Sequence, residues 1–174
     1  MNNMIPIIGD ITYDTLKMFI SELHKCEIGK PITLLISTDG GDDNVMFAIY
    51  DLLKANKVKV NTVALGNAES AGAFLLAIGD KGHRYTFPNT NIMMHETSYQ
   101  LPYEGESCRH SSAIQYVKMM ETNEDRYTKI MSAIVNKPYD QVRRDNMIDN
   151  YMTPEEAIKY GICDKIITNM EEIK

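Results

Sequence analysis

Between Val58 and Ile78 an apolar strand gives way to an apolar helix across a single polar hinge, and few folds accommodate that arrangement. Val58, Val60, Thr62 and Val63 carry stiff, branched side chains that suit an extended backbone. Beyond the hinge, Ala71 to Ile78 is small and apolar, as a buried helix requires. The hinge itself, Gly66-Asn67-Ala68-Glu69-Ser70, sets one hydroxyl where strand becomes helix. There the first N–H groups of the helix are free to face an anion. Two readings of Ser70 follow: a nucleophile raised on a sharp turn, or the N-cap of a core helix, a position serine favours anyway. The hinge alone does not choose between them.

The stretches around it repeat the same alternation. Met4 to Ile8 is a short apolar strand ending at Gly9. Asp10 to Cys26 reads as an amphipathic helix with Tyr13, Leu16, Phe19, Ile20 and Leu23 on one face. Ile32 to Ile36 is apolar without alternation, which predicts a strand buried on both faces. A turn, Ser37 to Asp43, leads to a helix over Asn44 to Ala55, and the Val58 strand follows. The order β-α-β-α-β-α is that of a parallel sheet with crossover helices. Farther on come a short strand within Gly79 to Phe87, a turn at Pro88 to Asn91, and a strand, Ile92-Met93-Met94, that runs straight into His95. Glu96 to Ser107 is polar and irregular. Ser111 to Asn136 has neither glycine nor proline and predicts a helix too long to pack only on a domain of this size, so it projects. Pro138-Tyr139-Asp140 starts a short helix. Thr153-Pro154-Glu155-Glu156 is a helix start with a capping box, Gly161 ends that helix, and Asp164 to Thr168 is a last strand.

At 174 residues the chain is one domain. A net charge of −6 without a Lys/Arg cluster argues against nucleic acid and anionic membrane as partners. The N-terminus has no basic start and no long apolar run, so neither a secretory signal nor a spanning helix is expected. Cys26, Cys108 and Cys163 are widely spaced, giving neither a metal pair nor a disulfide framework, and a cytoplasmic location is expected. No cluster has metal-ligand spacing, so neither a metal nor another cofactor is expected. Twelve methionines suit an adaptable core or apolar surface kept for self-association.

Three polar residues stand at the ends of elements: Ser70, His95 and Asp149. Each has a bland reading, as cap, satisfied core-edge histidine and exposed helix-end carboxylate. His24, His83 and His110 lie in surface-like contexts.

The segments around these residues resemble those of the Clp protease proteolytic subunit, a family of serine peptidases. Gly66-Asn67-Ala68-Glu69-Ser70-Ala71-Gly72-Ala73-Phe74-Leu75-Leu76 is similar to the nucleophile motif GxAASxGAxLL. Pro88 to His95 resembles the histidine motif PNxxxMxH. Asp149 to Thr153, with Glu156-Ala157 and Tyr160 to Asp164, resembles the acid motif. Ser37 to Gly41 is similar to the turn NSPGG. The likeness runs from about Ile8 to Ile167, with the motifs in the family's order.

The resemblance implies an α/β fold, a crotonase-like spiral of β-β-α units with a projecting long helix and handle. It implies a head over 1–95 and 137–174 and a handle over 96–136. Ser70 becomes the nucleophile, His95 the general base and Asp149 the residue that orients it, while Gly41 and Ala71 supply N–H groups to an oxyanion hole. The chemistry needs these types. A serine hydroxyl is inert at neutral pH without a base, and a buried carboxylate fixes the imidazole tautomer. Glycine at 41 keeps a Cβ out of the substrate's way. The implied activity is endopeptidase cleavage of unfolded proteins or peptides, bound as an added strand, inside two stacked heptameric rings. An AAA+ unfoldase is the implied partner, although the segment before Ile8, which the family uses in docking, is short. Asp39, Glu69 and Glu96 depart from the motifs and place carboxylates beside the site, which predicts slow turnover. Two other readings stand beside this one: a catalytically weak ring subunit of the same family, and a crotonase-fold acyl-CoA enzyme, which needs no Ser/His/Asp set.

Overall fold

Parallel pairing organises the first half of the chain. In the computed structural model, which describes residues 3–98 and 109–173, β1 (Met4–Ile8) lies beside β2 (Ile32–Thr38) and β2 beside β3 (Val60–Glu69). Parallel neighbours need crossovers, and α1 (Tyr13–Lys25) and α2 (Asp43–Asn56) supply them. Phe19 is the buried centre of α1, with Leu16, Ile20 and Leu23 packed against the core. The helix begins at Tyr13, later than the spacing predicts, because Ile11 is drawn into a parallel bridge with Gly41.

Burial along β2 alternates, contrary to the expectation of a strand covered equally on both faces. Leu34 and Ile36 are fully buried under the helices, whereas Thr33 and Leu35 are half-buried. The second face has a smaller cover. Val63, Tyr85 and Ile167 form its centre, and Leu35, Phe87, Met170 and Ile173 pack around them.

The hinge strand is longer than its apolar pattern suggests. β3 continues through Gly66 to Glu69 because its two halves have different partners. Thr62 to Ala64 pair with β4 (Arg84–Thr86), and Asn67 to Glu69 pair with β5 (Asn91–Met94). β6 (Asn150–Met152), which no apolar run announces, lies antiparallel to β5 with Met94 opposite Asn150. β7 (Lys165–Ile166) flanks β4. The result is a mixed α/β fold with a mostly parallel sheet of seven strands among the described residues.

The helix after the hinge, α3 (Ala71–Ala77), is buried at every position. Phe74 anchors it between α2 and α4 (His110–Val135), its ring 5.7 Å from Phe47, 5.7 Å from Tyr50 and 5.5 Å from Tyr127. At 26 residues α4 spans roughly 39 Å. Its buried residues begin at Asn123, so its N-terminal half extends away from the core, as expected of the long helix. Of the polar stretch before it, residues 99–107 lie outside the described residues. α5 (Tyr139–Asp145) and α6 (Pro154–Tyr160) complete the helices, the latter with its capping box formed: Thr153 N–H donates to Glu156 Oε2 at 2.8 Å and Glu156 N–H to Thr153 Oγ1 at 3.3 Å. A short 3-10 turn, Met170–Glu172, follows β7.

Candidate active site

Ser70 stands between β3 and α3 with φ 54° and ψ −120°, a left-handed backbone for a residue with a Cβ. Such a conformation costs on the order of 1–3 kcal/mol and persists only where the surroundings enforce it. Here they do. The Ser70 N–H donates to the Met93 carbonyl at 2.8 Å, tying the turn to β5, and the Ser70 carbonyl accepts from Ala73 and Phe74. The hydroxyl does not cap α3. Instead Ser70 Oγ lies 2.8 Å from His95 Nε2. Ser70 thus occupies the N-cap position of α3 without capping it by its hydroxyl, because its side chain turns away from the helix it precedes.

β5 brings His95 there. Glu69 pairs with Met93 in parallel register, so the residues after each, Ser70 and His95, leave the sheet side by side. The backbone past His95 is pinned on two elements. Glu96 N–H donates to the Asn146 carbonyl at 2.5 Å, and Thr97 N–H donates to Glu124 Oε2 at 2.9 Å. Glu124 is buried on α4, where Arg143 Nη1 offsets its charge at 2.5 Å. Nothing in the sequence singles out Glu124, since a lone acid on a long polar helix reads as solvated.

Asp149 arrives by the pairing of β5 with β6. Met94 opposes Asn150, so His95 and Asp149 continue the same antiparallel register just beyond the paired residues. Asp149 precedes a strand, and the helix-end reading does not hold. Its Oδ1 is 3.6 Å from His95 Nδ1, too far for a hydrogen bond. Its side chain is 65% exposed, against 22% for His95. The buried carboxylate that the chemistry calls for is, in the single chain, a solvated one near the imidazole.

The turn after β2 closes the other side. Gly41 has φ 146° and bridges Ile11: Ile11 N–H donates to the Gly40 carbonyl at 2.8 Å, and Asp42 N–H to the Ile11 carbonyl at 2.8 Å. Both bonds lie on the Ile11 side. The Gly41 N–H points the other way and, like that of Ala71, donates to no acceptor among the described residues. A Cβ at 41 would sit 2.2 Å from the Ile11 carbonyl oxygen, so glycine is required by packing behind the turn rather than by clearance for substrate. Gly40 carries a constraint the sequence does not reveal. With φ 114°, a Cβ there would fall 2.6 Å from Ser70 Cβ and 3.0 Å from its Oγ. The turn is braced by Thr38, whose Oγ1 accepts the Gly40 N–H at 3.0 Å.

Gly41, Ser70, Ala71 and His95 line one small cleft, with Asp43 and Tyr127. A hydroxyl beside an imidazole, in a cleft also lined by two residues whose N–H groups have no acceptor among the described residues, has the groups that acyl transfer uses. Over residues 2–170, nearly the whole chain, the sequence matches the family model described as Clp protease. The chain belongs to the Clp protease family. Membership of the Clp protease family makes a serine peptidase the general reading, and ring oligomers and a protein substrate its general setting.

The three carboxylates that depart from the family's motifs are disposed differently from one another. Asp39 is exposed and accepts from Asn67 Nδ2 at 2.7 Å, and Asn67 in turn accepts from Asn91. Glu96 is exposed. The Glu69 carboxyl is pushed up by burial and then by the negative charges of Asp39 and Asp149, with His95 pulling the other way. Glu69 thus lies within electrostatic reach of both His95 and Asp149. Among the described residues no group of His, Cys, Asp and Glu is arranged to hold a metal ion.

Proposed function

We propose that this chain is a self-compartmentalising serine endopeptidase that cleaves peptide bonds of unfolded proteins or peptides. The observation that carries the reading is the 2.8 Å contact between Ser70 Oγ and His95 Nε2, made by a serine held at positive φ. In the proposed reaction His95 takes the Ser70 proton as Oγ attacks the scissile carbonyl. The Gly41 and Ala71 N–H groups receive the oxyanion. His95 then protonates the leaving amine, and water hydrolyses the acyl-enzyme by the same route.

Assembly is part of the proposal. Exposed apolar side chains occur on the projecting half of α4, at Ile114, Val117 and Met119, and around Asp149, at Met147, Ile148 and Tyr151. A neighbouring subunit covering the second group would exclude water from Asp149 and strengthen its pull on His95. The rings are proposed as pairs of heptamers of this chain, with an AAA+ unfoldase as partner and the cytoplasm as location.

The second reading, a catalytically weak ring subunit, is favoured by the exposed Asp149 and its 3.6 Å separation from His95. Labelling the assembled protein with a fluorophosphonate probe and following cleavage of an unfolded protein separates the two. The peptidase reading expects labelling that Ser70→Ala abolishes and hydrolysis that falls by about 10⁴ to 10⁶ in that variant. An assembled particle that neither labels nor cleaves would be the scaffold.

A further inference from the structure

The sheet ladder that carries the chain to His95 stops just before it. β5 pairs with β3 as far as Met93 and with β6 as far as Met94. Thr97 and Ser98 nevertheless line the same cleft as Ser70 and His95. Two N–H groups, not a strand partner, hold this stretch. Glu96 donates to the Asn146 carbonyl, and Thr97 donates to Glu124 Oε2 at 2.9 Å. The first acceptor is the C-cap residue of α5, and the second lies on α4.

Glu124 is a costly acceptor. It is 5% exposed, and a carboxylate in such a place loses its hydration. Arg143 of α5 returns part of that loss as an ion pair at 2.5 Å without an aligned hydrogen bond, and the Thr128 hydroxyl donates a long bond of 3.4 Å to Oε1. Replacing a buried ion pair by apolar side chains of similar volume is often neutral or stabilising. Core packing therefore has little need of a carboxylate at 124. The geometry has a use for it. Oε1 faces Arg143 and Oε2 faces Thr97, so one group joins α4 to α5 and also grips the backbone beyond His95.

Resting on the peptidase reading, we infer that Glu124 is a positioning residue of the active site, with Arg143 as its counter-charge. By holding Thr97 it fixes the backbone that leaves His95. That in turn sets the approach of the imidazole to Ser70 and the place of the Thr97 wall of the cleft. Glu124 touches no reacting atom. It acts through the 2.8 Å contact between Ser70 Oγ and His95 Nε2. A misplacement of about 1 Å in such a contact costs about 10² in rate.

The test separates the oxygen from the charge. Glu124→Gln with Arg143→Met, and Glu124→Met with Arg143→Met, both remove the ion pair, and only the first keeps an oxygen for the Thr97 N–H. Fluorophosphonate labelling of Ser70 and cleavage of an unfolded protein are measured on each assembled variant, alongside urea unfolding. The glutamine variant should label and cleave within about tenfold of the parent. The methionine variant should lose about 10² in both labelling rate and kcat, with KM and the urea midpoint close to those of the glutamine variant. A purely structural carboxylate predicts instead that activity follows the urea midpoint and that the oxygen makes no difference. If the methionine variant does not fold, Glu124→Asp takes its place: it keeps a charge for Arg143 but draws the oxygens back from Thr97. Its labelling should then fall about tenfold or more. Equal labelling in the folded glutamine and methionine variants, or labelling of Glu124→Asp at the parent rate, overturns the positioning role and leaves the peptidase reading standing. A parent protein that neither labels nor cleaves overturns both.

Discussion

Ser70 is positioned by its neighbours' lack of side chains as much as by its own chemistry. Gly40 touches no reacting atom, yet the space a Cβ would take is that of the Ser70 side chain. Gly40→Ala should therefore displace the hydroxyl from His95 and lower kcat/KM by about 10² or more, with the fold retained by circular dichroism. Labelling of Gly40→Ala at the parent rate would refute this account of the turn. Glu69 makes a different kind of contribution. Its carboxyl is raised from 4.5, so the folded chain binds that proton more tightly than the unfolded chain does. The ionised form is a penalty, fully present above the raised value and absent below about pH 4.5. Glu69→Gln should raise Tm at neutral pH, and the gain should vanish as the pH falls to the ordinary glutamate range. A gain independent of pH would point to packing instead.

Among the elements, β7 is the shortest, and a side-chain clamp holds it where its own ladder is brief. Arg84 of β4 reaches Asp164 with Nε at 2.8 Å and Nη2 at 2.6 Å, while Nη1 donates to the Gly161 carbonyl at 2.6 Å. The N–H groups of Gly82 and Arg84 add bonds of 2.8 and 3.0 Å to the same carboxylate. Burial alone would raise the Asp164 carboxyl, but the Arg84 guanidinium and these N–H groups outweigh it and hold it below the usual range. Stability from this pair is complete above pH 3.8 and is lost as the pH falls through the depressed value. Asp164→Asn leaves the Arg84 charge buried and short of its counter-charge. It should cost about 3 kcal/mol in urea unfolding at neutral pH, and progressively less as the pH falls through the depressed value, where the parent itself becomes protonated.

At the scale of the whole molecule, large apolar side chains are exposed at several places among the described residues, and α4 carries one group of them. Ile114, Val117 and Met119 lie on the half of α4 that has no buried residue. Replacing Ile114 and Val117 together with aspartate should leave the subunit folded and shift its sedimentation to smaller species, since neither side chain contributes to the core. Large particles of unchanged size would show that this half of α4 is not a contact. The segment before it, over which assembly is also expected to depend, lies outside the described residues apart from its first three positions.

The alternation of strands and helices, the caps of α6 and the family were legible from the sequence, because they rest on local periodicity, turn chemistry and ordered motifs. The residue types of the site were legible for the same reason: Ser70, His95, Gly41 and Ala71 sit in those motifs and line one cleft. The second half of β3 and the whole of β6 were not, since Gly66, Asn67 and Asn150 carry no strand signal and are held extended only by β5. What Ser70 does with its hydroxyl was likewise open in one dimension. A cap and a nucleophile ask for the same residue at the same turn, and only the approach of His95 from another strand determines that the hydroxyl faces an imidazole instead of the helix. The exposure of Asp149 and the clearance that Gly40 provides were decided by tertiary structure alone. Each depends on distances between elements far apart in the chain, and no local propensity encodes those distances.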